Sequence, residues 1–273
     1  MPQGHGFEVS EVLLQEGQES RAVIGLIRAE AGSLEMFGMM AQDLVAVLER
    51  TAIMTVQEQL QAFLRRVTAW QEFMMKPGNQ LLSAEAEVGL FGELVMIELL
   101  LDAGMEPAVV IEAWKGPQDG VQDFLLGNGS VEVKSSAAIS GFIAKIGSLD
   151  QLDDAISTPL FLACQRFAAD EGGATLFENI DRIRERLEAT GARQPFDVLL
   201  LHAGALEQHR DCYTRRLSLV ETRMFQVDGE FPRLTGSIVG PVIRRAVYEM
   251  DIDLLQAEAI AVSEVVERLG IDG

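Results

Sequence analysis

Cysteine is nearly absent: Cys164 and Cys212 are the only two in 273 residues. A disulfide framework is thereby excluded, and a reducing compartment fits. Histidine is almost as scarce, and His5, His202 and His209 share no metal-ligand spacing with one another or with the cysteines, so a zinc site has no donors. The longest apolar runs, Leu94 to Leu101 and Val198 to Leu201, are short or carry an acid and cannot span a bilayer. Met1 to Ser10 lacks the basic-then-apolar pattern of an export signal, so a cytoplasmic protein with no membrane partner is expected. Gly127-Asn128-Gly129 lacks the third glycine of a dinucleotide fingerprint, and neither a phosphate loop ending in Gly-Lys-Ser/Thr nor a Gly-x-Ser-x-Gly elbow occurs. Nucleotide-cofactor and serine-nucleophile chemistry both recede.

Positive charge is the other shortage. Twenty-two basic residues stand against 42 acidic ones, a formal net charge of −20, and only four of the basic residues are lysines. Such a balance opposes nonspecific binding to nucleic acid or anionic lipid, so any DNA contact must come from a local basic face and be sensitive to salt. Arg65-Arg66, the arginines at 182, 184 and 186, Arg210 with Arg215-Arg216, and Arg244-Arg245 are the local clusters. The helical set alternates with Asp181, Glu185 and Glu188 and reads as a salt-bridged solvated face. Arg215-Arg216 and Arg244-Arg245, expected on strands, are the better phosphate candidates.

With 48% apolar and 23% charged residues the chain is composed as a folded globule. Short strands are expected around Val9 to Leu14 and Ala22 to Ile27, then helices over Leu34 to Arg50 and Thr55 to Met75, where apolar residues recur at helical spacing. Lys76-Pro77-Gly78-Asn79 stops the second helix and marks the domain boundary. Ser83 caps a new helix, with Glu85 and Glu87 in its first turn and Gly104 past its end. That helix is apolar nearly all round, so Glu93 and Glu98 within it need an explanation. Val109 to Trp114, Val121 to Leu126 and Ser130 to Ser135 read as a three-stranded meander. Strands follow at Phe142 to Ile146, Leu160 to Phe167, Arg215 to Val227 and Ile243 to Ile252, with helices over Leu176 to Ala189 and Ala257 to Leu269. Phe196 to His202 fits either a strand or a buried helix.

One constellation carries chemistry. Asp123 to Lys134 reads as two strands joined at Asn128-Gly129, the strongest short hairpin signal. A two-residue turn there sets Asp123 opposite Lys134 and Leu125 opposite Glu132, and the alternation of side chains projects Asp123, Glu132 and Lys134 from one face. A turn misplaced by one residue would split the set. Two carboxylates and an amine suit metal-assisted phosphodiester hydrolysis: Mg2+ takes oxygen ligands from one or two carboxylates plus substrate phosphate, and the lysine orients or deprotonates the attacking water and offsets transition-state charge. Glu-x-Lys alone is also what a cross-strand salt bridge on a solvated sheet would show, worth about 0.2–1 kcal/mol.

These residues resemble a known superfamily. Glu93 in Gly89-Leu90-Phe91-Gly92-Glu93-Leu94, Glu112-Ala113-Trp114-Lys115-Gly116-Pro117, Asp123-Phe124 and Glu132-Val133-Lys134-Ser135 look like the PD-(D/E)XK nucleases. More narrowly they look like a bacterial family of PD-(D/E)XK motif proteins of unknown function. The likeness extends through Ile146 to Leu152 and Phe231 to Thr235. It implies a restriction-endonuclease-like α/β core, αβββαβ, with a central mixed sheet flanked by helices over 79–273, preceded by an N-terminal β/α extension over 1–78. It implies Glu93, Asp123, Glu132 and Lys134 as catalytic residues, with Glu93, Asp123, Glu132 and the Val133 backbone carbonyl holding Mg2+ or Mn2+. It further implies DNA as substrate and a setting among restriction and phage-defence proteins, with operon-encoded partners; a homo-oligomer is compatible. Gln122 replaces the proline of the motif, and Asp119 is an alternative motif aspartate. Glu93 could equally be a buried acid with a structural partner, and Trp114 reads as a core anchor before a base-stacking platform. A noncatalytic interaction subunit retaining the fold is the competing function, favoured by the net charge and the few lysines; convergence of the four groups within a metal's reach discriminates.

Overall fold

The structure, a computed structural model, describes residues 3–4, 6–16, 19–30, 32–75, 81–118 and 120–270. The chain divides into two compact units, 1–81 with 200–208 and 82–199 with 209–273. In the first, β1 (Gln3–Gly4), β2 (Phe7–Glu16) and β3 (Glu19–Arg28) form an antiparallel sheet followed by α1 (Leu34–Arg50) and α2 (Val56–Met75). The two helices are joined at a half-buried polar knot: Asp43 accepts from Arg66 Nε at 2.6 Å and from Trp70 Nε1 at 2.7 Å. The expected boundary at Lys76 to Asn79 lies outside the described residues.

The second unit opens with α3 (Ala84–Asp102), where the Ser83 hydroxyl accepts from the Ala86 N–H at 3.1 Å. Its apolar girth is explained by burial of Leu90, Phe91, Leu94, Met96, Ile97 and Leu100, and each such side chain stabilises by about 1.5–3 kcal/mol. Glu98 escapes this burial through an ion pair with Arg182 at 3.2 Å. Next comes α4 (Pro107–Ala113), a correction to the strand expected over Val109 to Trp114. Its β-branched run misleads, because Pro107 at the first turn and the alanines favour a short helix that buries Val110 and Ile111. The expected meander is therefore a helix followed by one hairpin.

That hairpin consists of β4 (Phe124–Leu126) and β5 (Gly129–Ser136). Its register pairs Leu126 with Gly129 and Phe124 with Val131, which places the turn at Gly127-Asn128, one residue earlier than expected. Gly127 supplies the positive φ of 54° that such a turn needs. Gly129 is there for space instead, since a Cβ would strike the Pro159 carbonyl oxygen and approach Leu269 Cδ2 at 2.8 Å. Moving a two-residue turn by one position shifts the pairing by two, so the faces are preserved and the feared splitting of the acidic set does not occur.

β6 (Ile143–Ile146) leaves the main sheet and pairs antiparallel with β9 (Tyr248–Asp251). β7 (Leu160–Ala174) returns parallel to β5, followed by α5 (Leu176–Leu187), α6 (Arg193–His202), and β8 (Leu217–Val227) antiparallel to β7. The region 196–202 is thus helical, and the strand expected from Ile243 begins only at Tyr248. α7 (Gly236–Val239) and α8 (Val262–Arg268) complete the unit. The result is a mixed α/β architecture around a four-stranded sheet of order β4-β5-β7-β8 flanked by helices. On one face Leu160, Leu162 and Cys164 pack with Phe142, Ile146, Leu152 and Phe225. Toward α3, Phe167 meets Phe91 edge-on at 5.2 Å. No helix of the described residues is long and apolar enough to cross a membrane.

α3 approaches β5 so closely that glycine is required at one position. A Cβ at Gly92 would strike Ser135 Oγ and come within 2.9 Å of Gln165 Oε1, whereas one at Gly89 meets nothing within 4 Å. Gly92→Ala is expected to destabilise by about 1–3 kcal/mol, and Gly89→Ala to stabilise by roughly 0.5–1 kcal/mol through the lower entropy of its unfolded chain. Urea denaturation of both variants checks the pair; equal effects of either sign would refute the close packing of α3 on β5.

Candidate active site

β5 lies between β4 and β7, and its alternation places Glu132 beside Leu162 and Lys134 beside Cys164. Asp123 stands one residue before β4, where the register carries it toward Glu132 and away from the Lys134 partner expected from the sequence. Its position is fixed at both ends: Oδ2 accepts the Val133 N–H at 2.7 Å, and its carbonyl accepts from Lys115 N at 2.7 Å and Gly116 N at 3.1 Å. Glu93 arrives from α3, and its Oε2 accepts from the Trp114 indole at 2.6 Å. Gly116 is where the two acids meet, because a Cβ there would collide with Glu93 Oε2 and stand 3.0 Å from Asp123 Oδ1. All four expected groups therefore line one cleft of about 760 Å³.

The electrostatics follow from burial. Glu132 is 1% exposed, and its Oε1 forms an ion pair with Lys134 Nζ at 2.7 Å. Its Oε2 has no hydrogen-bond partner among the described residues. Burial, then repulsion by Asp123, pushes the Glu132 carboxyl up to about 8 in spite of Lys134. Burial and the Asp123 charge raise Glu93 well above the usual carboxylate range, against the pull of the Trp114 hydrogen bond. Asp123 is raised too, by burial, with the Val133 N–H and Lys134 opposing. Burial would lower the Lys134 ammonium, but the surrounding carboxylates, Glu132 first, outweigh it and hold it above its ordinary value. Lys134 is therefore a firm cation among buried acids, of which Glu132, raised to about 8, holds its proton at neutral pH.

Several features were not legible beforehand. Trp114 is the core anchor expected, fully buried and tilted on Phe196 with centroids 5.9 Å apart, but its N–H bond to Glu93 was not foreseen. Gln151 Oε1 accepts from Gly147 N at 2.7 Å and faces Lys134 Nζ at 3.5 Å. Gln122, in place of the motif proline, is 1% exposed and donates its amide to the Asp150 carbonyl at 3.2 Å, tying the Gln151 segment to the strand that follows Asp123. The segment Ile146 to Leu152 was part of the resemblance, but nothing in it announced a contact to the lysine. Asp119, the alternative aspartate, lies outside the described residues. Arg215 lines the cleft and donates to the Ala84 carbonyl at 3.2 Å, while Arg216 is engaged by Glu178 at 2.8 Å. Both precede β8, and Arg244 and Arg245 precede β9, so none of these arginines is on a strand as expected.

Among the described residues no three His, Cys, Asp or Glu side chains stand together as a finished metal cluster. The donor chemistry nevertheless suits a hard cation. The orphaned buried Glu132 Oε2 and Asp123 Oδ1, whose partner oxygen alone is bound to Val133, are oxygen donors facing one space, and magnesium needs only one or two carboxylates when water and substrate supply the rest.

A carboxyl whose folded pKa lies above its unfolded value keeps its proton in the folded state after the unfolded chain has lost it. The stability Glu132 contributes is therefore full below the ordinary carboxylate range and is lost as pH rises from there to about 8. In chelator-treated protein the melting temperature is expected to fall between about pH 5 and about pH 8, and to fall less in Glu132→Gln, which carries no proton to lose. Parallel pH profiles for the two proteins would rule out a proton held at Glu132.

No curated protein and no solved structure matches the chain. A family model described as "Putative PD-(D/E)XK family member, (DUF4420)" matches residues 1–253. Nearly the whole chain, including Glu93, Asp123, Glu132 and Lys134 of the cleft, falls inside that span, and the chain belongs to this PD-(D/E)XK family.

Proposed function

We propose that the protein is a divalent-metal-dependent phosphodiesterase acting on DNA, a nuclease or nuclease subunit of a restriction or phage-defence system. The observation that carries this reading is the buried set Glu93, Asp123 and Glu132 gathered with the Lys134 ammonium at one cleft. Family membership supports a nuclease-like function. The order α3, β4, β5, β7, α5, β8 then reads as the αβββαβ core, with α4, β6 and α6 interposed, and the first unit as an N-terminal β/α extension.

On this reading Asp123 Oδ1 and Glu132 Oε2 hold Mg2+ or Mn2+, with Glu93 and the Val133 carbonyl completing the set. The cation, when bound, polarises a phosphoryl oxygen and acidifies its water. Glu132 releases its proton on binding, since a cation favours the carboxylate that burial disfavours. Lys134, protonated throughout, donates from Nζ to the attacking oxygen or the phosphate and offsets the charge that develops there; its raised pKa favours this role over that of a base. Gln151 and Glu132 keep Nζ at the cleft wall. Trp114 holds Glu93 in one rotamer with its indole N–H.

The test combines metal linkage with cleavage. Millimolar Mg2+ or Mn2+, against salt-matched controls, is expected to raise the melting temperature of the wild type and not of Asp123→Asn or Glu132→Gln, and only the wild type should cut plasmid or linear DNA. Lys134→Ala is expected to retain the metal-induced shift while losing turnover by ~10²-fold or more. Cleavage by Lys134→Ala at more than about a tenth of the wild-type rate would contradict its role. A melting temperature indifferent to both metals would favour the noncatalytic subunit, a reading supported by the absence of a finished cluster among the described residues.

A further inference from the structure

In a chain so acidic, the arginines are consumed by carboxylates. Arg166, Arg182, Arg184, Arg193, Arg210 and Arg223 each make at least one ion pair at 3.5 Å or less. Among the described lysine and arginine side chains, those of Lys115, Lys145, Arg244 and Arg245 alone take part in no hydrogen bond or ion pair. These four are not scattered. Lys115 precedes Gly116, against which Glu93 and Asp123 close. Lys145 lines the cleft from β6 and makes no ion pair with Glu249, its cross-strand neighbour. Arg244 and Arg245 lie in the exposed segment that enters β9 at Tyr248, and Tyr248 pairs with Ile146, next to Gly147 of the cleft wall.

The same segment carries apolar residues that no neighbour covers. It leaves α7 at Gly240, with φ of 81°, and presents Val242 at 92% and Ile243 at 47% exposure immediately before the two arginines. Exposed aliphatic side chains beside unpartnered cations, in the segment that leads into the strand paired with β6 of the cleft wall, are a poor design for a free surface. They match a polyanion with apolar steps between its charges, as in the minor groove of duplex DNA.

We propose that the segment 240–247 is a duplex-gripping arm: Arg244 and Arg245, with Lys145, take backbone phosphates, and Val242 and Ile243 rest against base edges. The arm rests on the nuclease reading for the identity of its ligand and extends it by naming where the duplex is held. Its function is orientation, because the acids of the cleft repel a phosphate backbone and a cationic rim must hold the duplex in place above them.

Fluorescence anisotropy with a labelled duplex oligonucleotide, using the full chain with Glu132→Gln to prevent cutting, provides the test. Arg244→Ala/Arg245→Ala is expected to weaken binding by roughly tenfold or more and to lower the slope of log K against log salt by about 1.8, the value for two phosphate contacts. Val242→Ser/Ile243→Ser is expected to weaken binding with the slope unchanged, since apolar contacts release no counterions. Arg182→Ala/Arg186→Ala, which removes the same charge from α5 where both arginines are ion-paired to α3, should leave affinity within about twofold. The arginines of the arm make no hydrogen bond or ion pair among the described residues, so thermal melts are expected to match the parent.

An arm variant that binds with parent affinity and slope, or an α5 control that loses as much, overturns the arm while leaving hydrolysis standing. Tight, arm-dependent binding by a wild type that cuts nothing in Mn2+ overturns the hydrolase and keeps the arm. A parent that binds no duplex, or prefers an acidic peptide, overturns the arm outright.

Discussion

An ionised carboxylate taken out of water costs several kcal/mol unless a cation or hydrogen-bond donors replace the solvent. Near the edge of the four-stranded sheet this protein gathers Glu93, Asp123 and Glu132, with Lys134, among the described residues, as the one cation in ion-pair contact with any of them. Every other feature of the cleft responds to that imbalance. Burial raises all three carboxyls above their ordinary range, and Glu132, pushed up to about 8, keeps its proton at neutral pH. Lys134 is drawn tightly enough to resist its own burial. Such a cluster is poorly satisfied by itself and well suited to gain from a divalent cation.

The scaffold holds the imbalance in place with neutral donors. The Trp114 indole, the Val133 amide and the amides of Lys115 and Gly116 fix Glu93 and Asp123 without adding charge that would cancel theirs. Gly116 must lack a side chain for the two acids to approach, and Gly92 must lack one for α3 to lie against β5. Gln122 continues the same economy of neutral contacts, since its amide reaches the segment that presents Gln151 to Lys134. The glutamine in place of the motif proline is thus a structural substitution with its own task.

Charge elsewhere is organised locally. The arginines of α5 and those preceding β8 are answered by Glu98, Asp181, Asp197 and Glu178, so they contribute little field beyond about a Debye length. Of the cations left over among the described residues, Lys145 lines the cleft, and Arg244 and Arg245 lie in the segment that enters the strand paired with β6. A net charge of −20 thereby coexists with local groups of cations that no carboxylate neutralises.

The sequence by itself determined much of the framework. Apolar periodicity marked α1, α2 and α3, the last with a serine cap, β-forming residues marked β5, and the two-residue period of a strand put Glu132 and Lys134 on one face whatever the turn. Those are local constraints, written within a few residues of where they act. Tertiary structure decided the rest. Val109 to Trp114 became a helix because burying Val110 and Ile111 outweighs weak β propensity, and the hairpin turned at Gly127 because Gly129 was needed under Pro159. Glu93, 30 residues from Asp123, met it only through the approach of α3 and the gap at Gly116. Which arginines remain unpaired, and that Gln151 faces Lys134, depend on chain segments far apart in sequence. No local pattern encodes such meetings, because contact between distant residues is set by the packing of whole elements and not by the spacing within any one of them.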